Sequence, residues 1–343
     1  MIKSLLTRVT VVILLLSVPA ILMAGEIQLP IAKTELRINV NNYQELTFTS
    51  DISSMLFRDV QTKLGEFTEL YIHGYSYSSG VGDPKLPVSG TLVEIPMHAT
   101  PEILVTHAEY TDYTMSALGI SLQIIPQQAS VSKAITNPEE IPFVINRETY
   151  MLNEFLGAPL VSVSDAGTMR AVTLGSLNIA PVQYNPVTGI LRIYHTIEAT
   201  ISFTNGSEQA SISRKQELYS PFFEKAYGQL ANYKPLSDEL ITMAPVTYII
   251  VSDEMFEDAL QPFIDWKTQK GFNVVEAYTS DPAVGTTTTS IKNYLQNFYN
   301  TPPTGYEPQS FVLIVGDVAQ IPAFSGTTGS HPTDLYYFEY TGD

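Results

Sequence analysis

The chain has 343 residues, 18 Lys plus Arg against 35 Asp plus Glu, a net charge of −17, and no cysteine. So acidic a chain has little with which to release counterions from a phosphate backbone, which argues against a nucleic-acid binder. The lack of cysteine excludes a disulfide scaffold, a thiolate zinc site and a thiol nucleophile within these residues.

The length corresponds to about two domains at roughly 150 residues each. In residues 1–24, Lys3 and Arg8 flank the start of an apolar run from Val9 to Leu16 that continues past Pro19 to Met23. This is the pattern of a secretory signal, with cleavage expected at Ala24-Gly25. The unbroken apolar stretch is shorter than the ~20 residues of a spanning helix and Pro19 interrupts it, so a cleaved signal is favoured over an uncleaved anchor. No cysteine follows to accept a lipid. The expected location is therefore secreted, extracellular or cell surface, with no transmembrane segment in the mature chain. The excess of carboxylates suits an exported surface and leaves acids for a hard cation such as calcium.

Residues 25–205 read as β. Glu35–Val40, Thr91–Ile95, Ile103–His107, Ala171–Leu174, Ile190–Tyr194 and Ile197–Phe203 alternate at period two, and turn formers such as Asn185-Pro186 separate them. Many short strands at this spacing predict an antiparallel sandwich or barrel. Residues 206–245 change character: a polar stretch, a short helix within Leu218–Tyr233 carrying Phe222, Phe223, Ala226 and Leu230, then loop composition. This reads as a linker, and Arg214 and Lys215 are its expected processing site, with Lys225 and Lys234 as further basic positions. A solvated loop of one larger domain is the other reading.

From Pro245 the pattern switches to strand, helix, strand, helix, strand: Val246–Val251, a helix ending at Gly271 and kinked at Pro262, Phe272–Tyr278, a helix over Thr289–Phe298, and Phe311–Val315. That alternation predicts the start of a parallel α/β sheet over residues 246–343. Gly316-Asp317 follows the third strand directly, where open parallel sheets place functional groups, although an aspartate there also caps turns. Asp334 and Asp343 add acids in the same region, without the spacing of an EF-hand loop.

His73, His98, His107, His195 and His331 show no metal-ligand spacing, and His107 and His195 lie in strand patterns. There is no Gly-x-Ser-x-Gly elbow after a strand and no phosphate-binding glycine loop. Asn205-Gly-Ser207 is a formal glycosylation triplet. Tyrosines cluster at Tyr71, Tyr75 and Tyr77 and at Tyr336, Tyr337 and Tyr340, as half-buried strand residues or a contact face.

Four segments in order carry a resemblance: Val246-Thr-Tyr-Ile-Ile-Val-Ser252, Gln261-Pro-Phe-Ile-Asp-Trp-Lys-Thr-Gln-Lys-Gly271, Phe311-Val-Leu-Ile-Val-Gly-Asp317 with Gln320-Ile-Pro322, and Thr333-Asp-Leu-Tyr-Tyr337. They resemble the opening of the gingipain (family C25) cysteine peptidase domain. Upstream, Gly82-Asp-Pro-Lys-Leu-Pro-Val88, Pro181-Val-Gln-Tyr-Asn-Pro186 and Leu191-Arg-Ile-Tyr194 resemble the gingipain-type propeptide. The resemblance implies a multidomain secreted zymogen, in which a β-rich propeptide domain assists folding, contacts the peptidase and keeps it latent. A caspase-like domain follows, cleaving protein and peptide substrates through a Cys/His dyad expected beyond residue 343. No catalytic residue and no catalytic cofactor is expected in these residues, which alone should be inactive. The resemblance also implies structural calcium, with Asp317 and, more loosely, Asp343 as ligands. Two alternatives stay open: a non-enzymatic β-rich adhesin or surface module with a degenerate caspase-like domain, and a propeptide acting alone as inhibitor of a partner peptidase.

Overall fold

Alternating runs broken by Gly, Pro and Asn turns fold as antiparallel strands in the first part of the chain. A computed structural model describes residues 24–77, 80–120, 123–131, 135, 137, 141–237, 245–327 and 329–340. Residues 1–23 of the expected signal, which runs to Ala24, and Asp343 lie outside the described residues.

The strands of the first part are β1 (Ala24–Gln28), β2 (Glu35–Asn41), β3 (Glu45–Asp51), β4 (Ser54–Thr62), β5 (Gly65–Tyr71), β6 (Ser76–Tyr77), β7 (Pro87–Ile95), β8 (Thr100–Thr114), β9 (Val161–Met169), β10 (Val172–Ile179), β11 (Val182–Asn185) and β12 (Ile190–Thr204). They form sheets ordered β1-β4-β5, β6-β7-β10-β9 and β11-β12-β3-β2, with β8 also paired to β12. The β-rich expectation holds, and β12 organises it. Every second residue of β12 is buried, from Leu191 to Phe203. Leu191 and Ile193 enter one core with Met55, Leu70 and Tyr184, whereas Ile197, Ala199, Ile201 and Phe203 enter a second with Phe48, Val93 and Leu177. One strand therefore joins two cores.

The long β8–β12 ribbon contains two compensating bulges. Register passes from Tyr194↔Tyr110 to Thr196↔Glu109, so His195 is the extra residue on β12, and from Glu198↔His107 to Ala199↔Val105, so Thr106 is the extra one on β8. A bulge adds twist locally. The second offsets the register slip of the first, so the same face of β12 stays buried on both sides of it.

Residues 206–245, expected as a linker, contain two helices, α1 (Glu208–Glu217) and α2 (Pro221–Tyr227). Proline at the first turn of α2 has no amide hydrogen to leave unpaired there. The chain divides into two compact units in an interleaved way: Ile212–Gly228 belongs to the second, Gln229–Lys234 to the first, and the second resumes at Pro235. The return segment pairs like a short strand. Ala231 donates its amide to Leu92 O (3.0 Å), and Asn232, 1% exposed, takes Glu94 N–H on Oδ1 (2.6 Å) and donates Nδ2 to Glu94 O (3.0 Å).

The second unit has β13 (Val246–Ser252), α3 (Glu257–Gln269), β14 (Phe272–Tyr278), α4 (Thr288–Asn300) and β15 (Phe311–Val315). The order is β14-β13-β15, all parallel. β13 is central and nearly continuously buried, as its apolar run implied. Gly271 ends α3 region with φ 87°, a left-handed conformation that glycine adopts without strain. Thr287 and Ser290 form a reciprocal capping box at the start of α4. Ile249, Val251, Ile291, Leu295 and Tyr337 pack the core. A small hairpin, β16 (Phe324–Ser325) with β17 (Pro332–Thr333), completes the described part.

Candidate functional site at the carboxyl edge of the parallel sheet

Each parallel strand is followed by an aspartate that fixes the next turn. Asp253 Oδ1 accepts from Met255 N (2.9 Å), Asp281 Oδ1 from Ala283 N (2.8 Å) and Asp317 Oδ1 from Val318 N (2.7 Å). Small acids do this because the carboxylate reaches the backbone a residue or two ahead. Asp317 is the most heavily used: its amide donates to Gln320 Oε1 (3.0 Å), and its carbonyl accepts from Gln320 N and Ile321 N (both 2.9 Å). Gly316 precedes it with φ 141°, and a Cβ there would lie 2.9 Å from Gln320 Cβ, so the sharp exit from β15 requires glycine.

That turn opens on a cavity of about 220 Å³ lined by Gly316, Asp317, Ile321, Thr333 and Asp334 among others. Asp334 precedes the 3-10 turn Leu335–Tyr337 but makes no capping bond with its side chain; Thr333 Oγ1 takes the Leu335 amide instead (3.2 Å). Asp334 is therefore not used as a cap, and it lines the cavity. Behind it Tyr337 is fully buried and its hydroxyl donates to Pro322 O. Burial, with the Asp334 charge as a second cause, pushes the Tyr337 hydroxyl up to about 12, so it remains a neutral donor.

The site thus brings Asp317 and Asp334 together, which the sequence suggested only as proximity in loops. Their oxygens and the neighbouring hydroxyl are the donor type a hard cation takes, although among the described residues no group of three or more His, Cys, Asp or Glu converges anywhere. His331 is exposed in the β16–β17 loop, where its carbonyl accepts from Gly326 N (2.8 Å). His195, expected as an ordinary sheet residue, is buried at the bulge of β12.

The processing candidates sit differently from an exposed linker. Arg214 and Lys215 are in the last turns of α1, and Lys215 is only 3% exposed. A peptidase binds an extended, accessible strand, so cleavage there requires α1 to open first. Polar residues dominate α1, so it carries no apolar stripe by which to recognise it. Lys225 is exposed on α2, and Lys234 donates to Asn41 Oδ1 (3.2 Å) and Asn232 O (3.3 Å). At the other end of the chain, Ala24 and Gly25 open β1, with Gly25 opposite Phe57. A Cβ at Gly25 would lie 2.1 Å from the Phe57 ring, so any larger residue there would have to displace that ring.

Comparison with known proteins matches both halves. The Propeptide_C25 family model covers residues 34–255, and Peptidase family C25 covers residues 241–343. Lys-gingipain of Porphyromonas gingivalis is 33% identical over 330 residues, which is 96% of this chain and 19% of the relative. Gingipain R2 of the same species is 28% identical over 284 residues, 79% of this chain and 36% of the relative. The chain thus spans about a fifth of the length of the Lys-gingipain it matches. A solved chain from work on the zymogenic latency of gingipain K of P. gingivalis aligns with a TM-score of 0.50 and 31% identity, covering 54% of this chain and 100% of that one. No helix among the described residues is long and apolar enough to cross a membrane. A β-rich unit matching the propeptide model, followed by a parallel sheet matching the peptidase model, makes this chain a member of the gingipain C25 family, comprising its propeptide and the opening of its peptidase domain.

Proposed function

We propose that this chain is the latent portion of a secreted cysteine endopeptidase zymogen. The observation that carries the reading is the succession, within one chain, of a C25 propeptide and the opening strands of a C25 peptidase sheet. The propeptide assists folding and restrains the peptidase, and cleavage in the connecting segment begins activation. In the complete enzyme a cysteine thiolate attacks the peptide carbonyl, a histidine accepts and returns the proton, and water hydrolyses the acyl-enzyme. Residues 1–24 direct export, which agrees with the apolar run behind Lys3 and Arg8.

Calcium is the further part of this reading. Asp317 and Asp334 face one cavity with oxygen donors of the right kind, and Asp343 is the added candidate ligand. Bound there, the ion would tie the exit of β15 to the β16–β17 hairpin.

The deciding experiment expresses the full-length gene product and follows peptide hydrolysis before and after limited proteolysis, with labelling by an irreversible thiol-directed inhibitor. Activity and labelling that rise together on processing support the zymogen. A processed, folded protein with neither would support the non-enzymatic surface module instead.

A further inference from the structure

The propeptide match runs well past the point where the packing changes hands. Residues 212–228 fold with the peptidase sheet, and the chain then returns to the β-rich unit for residues 229–234. What holds the first of these segments is α2. Its Phe222 ring stacks on Phe272 at 4.7 Å and meets Phe311 edge-on at 5.7 Å, while Phe223 lies 6.1 Å from Phe311. Tyr248 backs the same cluster, 5.5 Å from Phe272 and 5.9 Å from Phe311.

Phe272 and Phe311 are the first residues of β14 and β15, so α2 sits at the amino end of a parallel sheet. Open parallel sheets carry their functional groups beyond the carboxyl ends, one strand length away, roughly 16 Å for five residues. α2 therefore cannot work by covering that edge. We infer that α2 is an exosite anchor: an aromatic docking surface on the peptidase sheet, remote from the catalytic edge, whose partner is this propeptide helix. The inference rests on the zymogen reading above.

The anchor has a consequence for processing. Cleavage between Lys234 and Val246 severs the chain but leaves α2 attached to the β-rich unit by its backbone and to the peptidase sheet by its rings. Release of the propeptide then requires dissociation of the aromatic cluster as well as a cut bond. Aromatic pairs contribute about two- to tenfold each to an equilibrium beyond their area, and three are made across this contact.

The test uses the full-length zymogen with a specific protease site inserted between Lys234 and Val246. After quantitative cutting, separation of the propeptide fragment is followed by size-exclusion chromatography and its Kd by surface binding. The wild-type fragments co-elute, and Phe222→Ala/Phe223→Ala, which removes all three pairs, raises Kd about tenfold to a thousandfold. Phe222→Ala alone, at a ring that is 45% exposed, raises it by a smaller factor and guards against misfolding of the double variant. Wild-type fragments that separate at once, or folded variants with the wild-type Kd, overturn the anchor. A cut protein that never hydrolyses peptide, even once the propeptide is removed, overturns the zymogen reading and leaves the association measurement standing.

Discussion

Glu69 shows how a charge is held inside a β-rich unit. It is 8% exposed, accepts from Arg58 Nη2 (2.6 Å) and Nε (2.9 Å), and pairs with Lys85 Nζ (2.5 Å). Burial alone would raise its pKa; the hydrogen bonds from Lys85 and Arg58 outweigh that and hold it below the ordinary glutamate value. A carboxyl depressed in the folded state stabilises above its unfolded value, about 4.3, and loses that contribution as pH falls through the depressed value. Glu69→Gln should therefore cost about 1–2 kcal/mol at pH 7, with the gap from wild type closing below about pH 4. Urea midpoints at pH 7 and 3.5 check this, and a gap that is unchanged in acid refutes the assignment. The Glu69 cluster was not legible in the sequence, because Arg58, Glu69 and Lys85 come together only through the pairing of β4 with β5 and the approach of the next segment. Asp317 was legible, since its place directly after an apolar strand is a local fact. Asp334 became its neighbour only through the hairpin that follows.

Among the elements, β8 and β12 pair along their length yet differ in exposure. Ile201 on β12 is fully buried, whereas Leu104 on β8 is 64% exposed. Ile201→Ala should cost about 2–5 kcal/mol and Leu104→Ala under about 0.5 kcal/mol in chemical denaturation. Comparable losses would mean that β8 is covered in solution. Period two exposed β12 to sequence reading because one of its faces is packed throughout. The parallel strands and α4 were legible for similar reasons, with apolar residues meeting the core at the spacing of the element. The bulges at His195 and Thr106 were not, since neither residue type marks an irregular register. α1 escaped because it buries Ser211 and Lys215 in place of an apolar stripe. The helix expected between Leu218 and Tyr233 is real but shorter, and its rings serve the peptidase sheet.

At the scale of the molecule, the two units have separate cores, and the proposed calcium ligands belong to the second alone. Calorimetry in a calcium chelator should lower the melting temperature of the second unit and leave the first unchanged. Asp317→Ala should remove that sensitivity, and identical scans with calcium and with chelator would refute the calcium reading. Local grammar revealed the division into a β-rich part and a parallel sheet, whereas the interleaved path of residues 212–234 depends on contacts far apart in sequence. The same non-locality governs β12. Its Thr196 hydroxyl donates to Asp51 Oδ1 across 145 positions (2.8 Å). Pairings of such separation are slow to form, because the chain entropy of closing the loop is lost before the contacts repay it. Both cores of the first unit take residues from this strand, so during synthesis the first is incomplete until Ile193 and the second until Phe203 has emerged. On the export reading, that delay leaves time for the chain to be threaded through a translocation channel before it collapses into its final form.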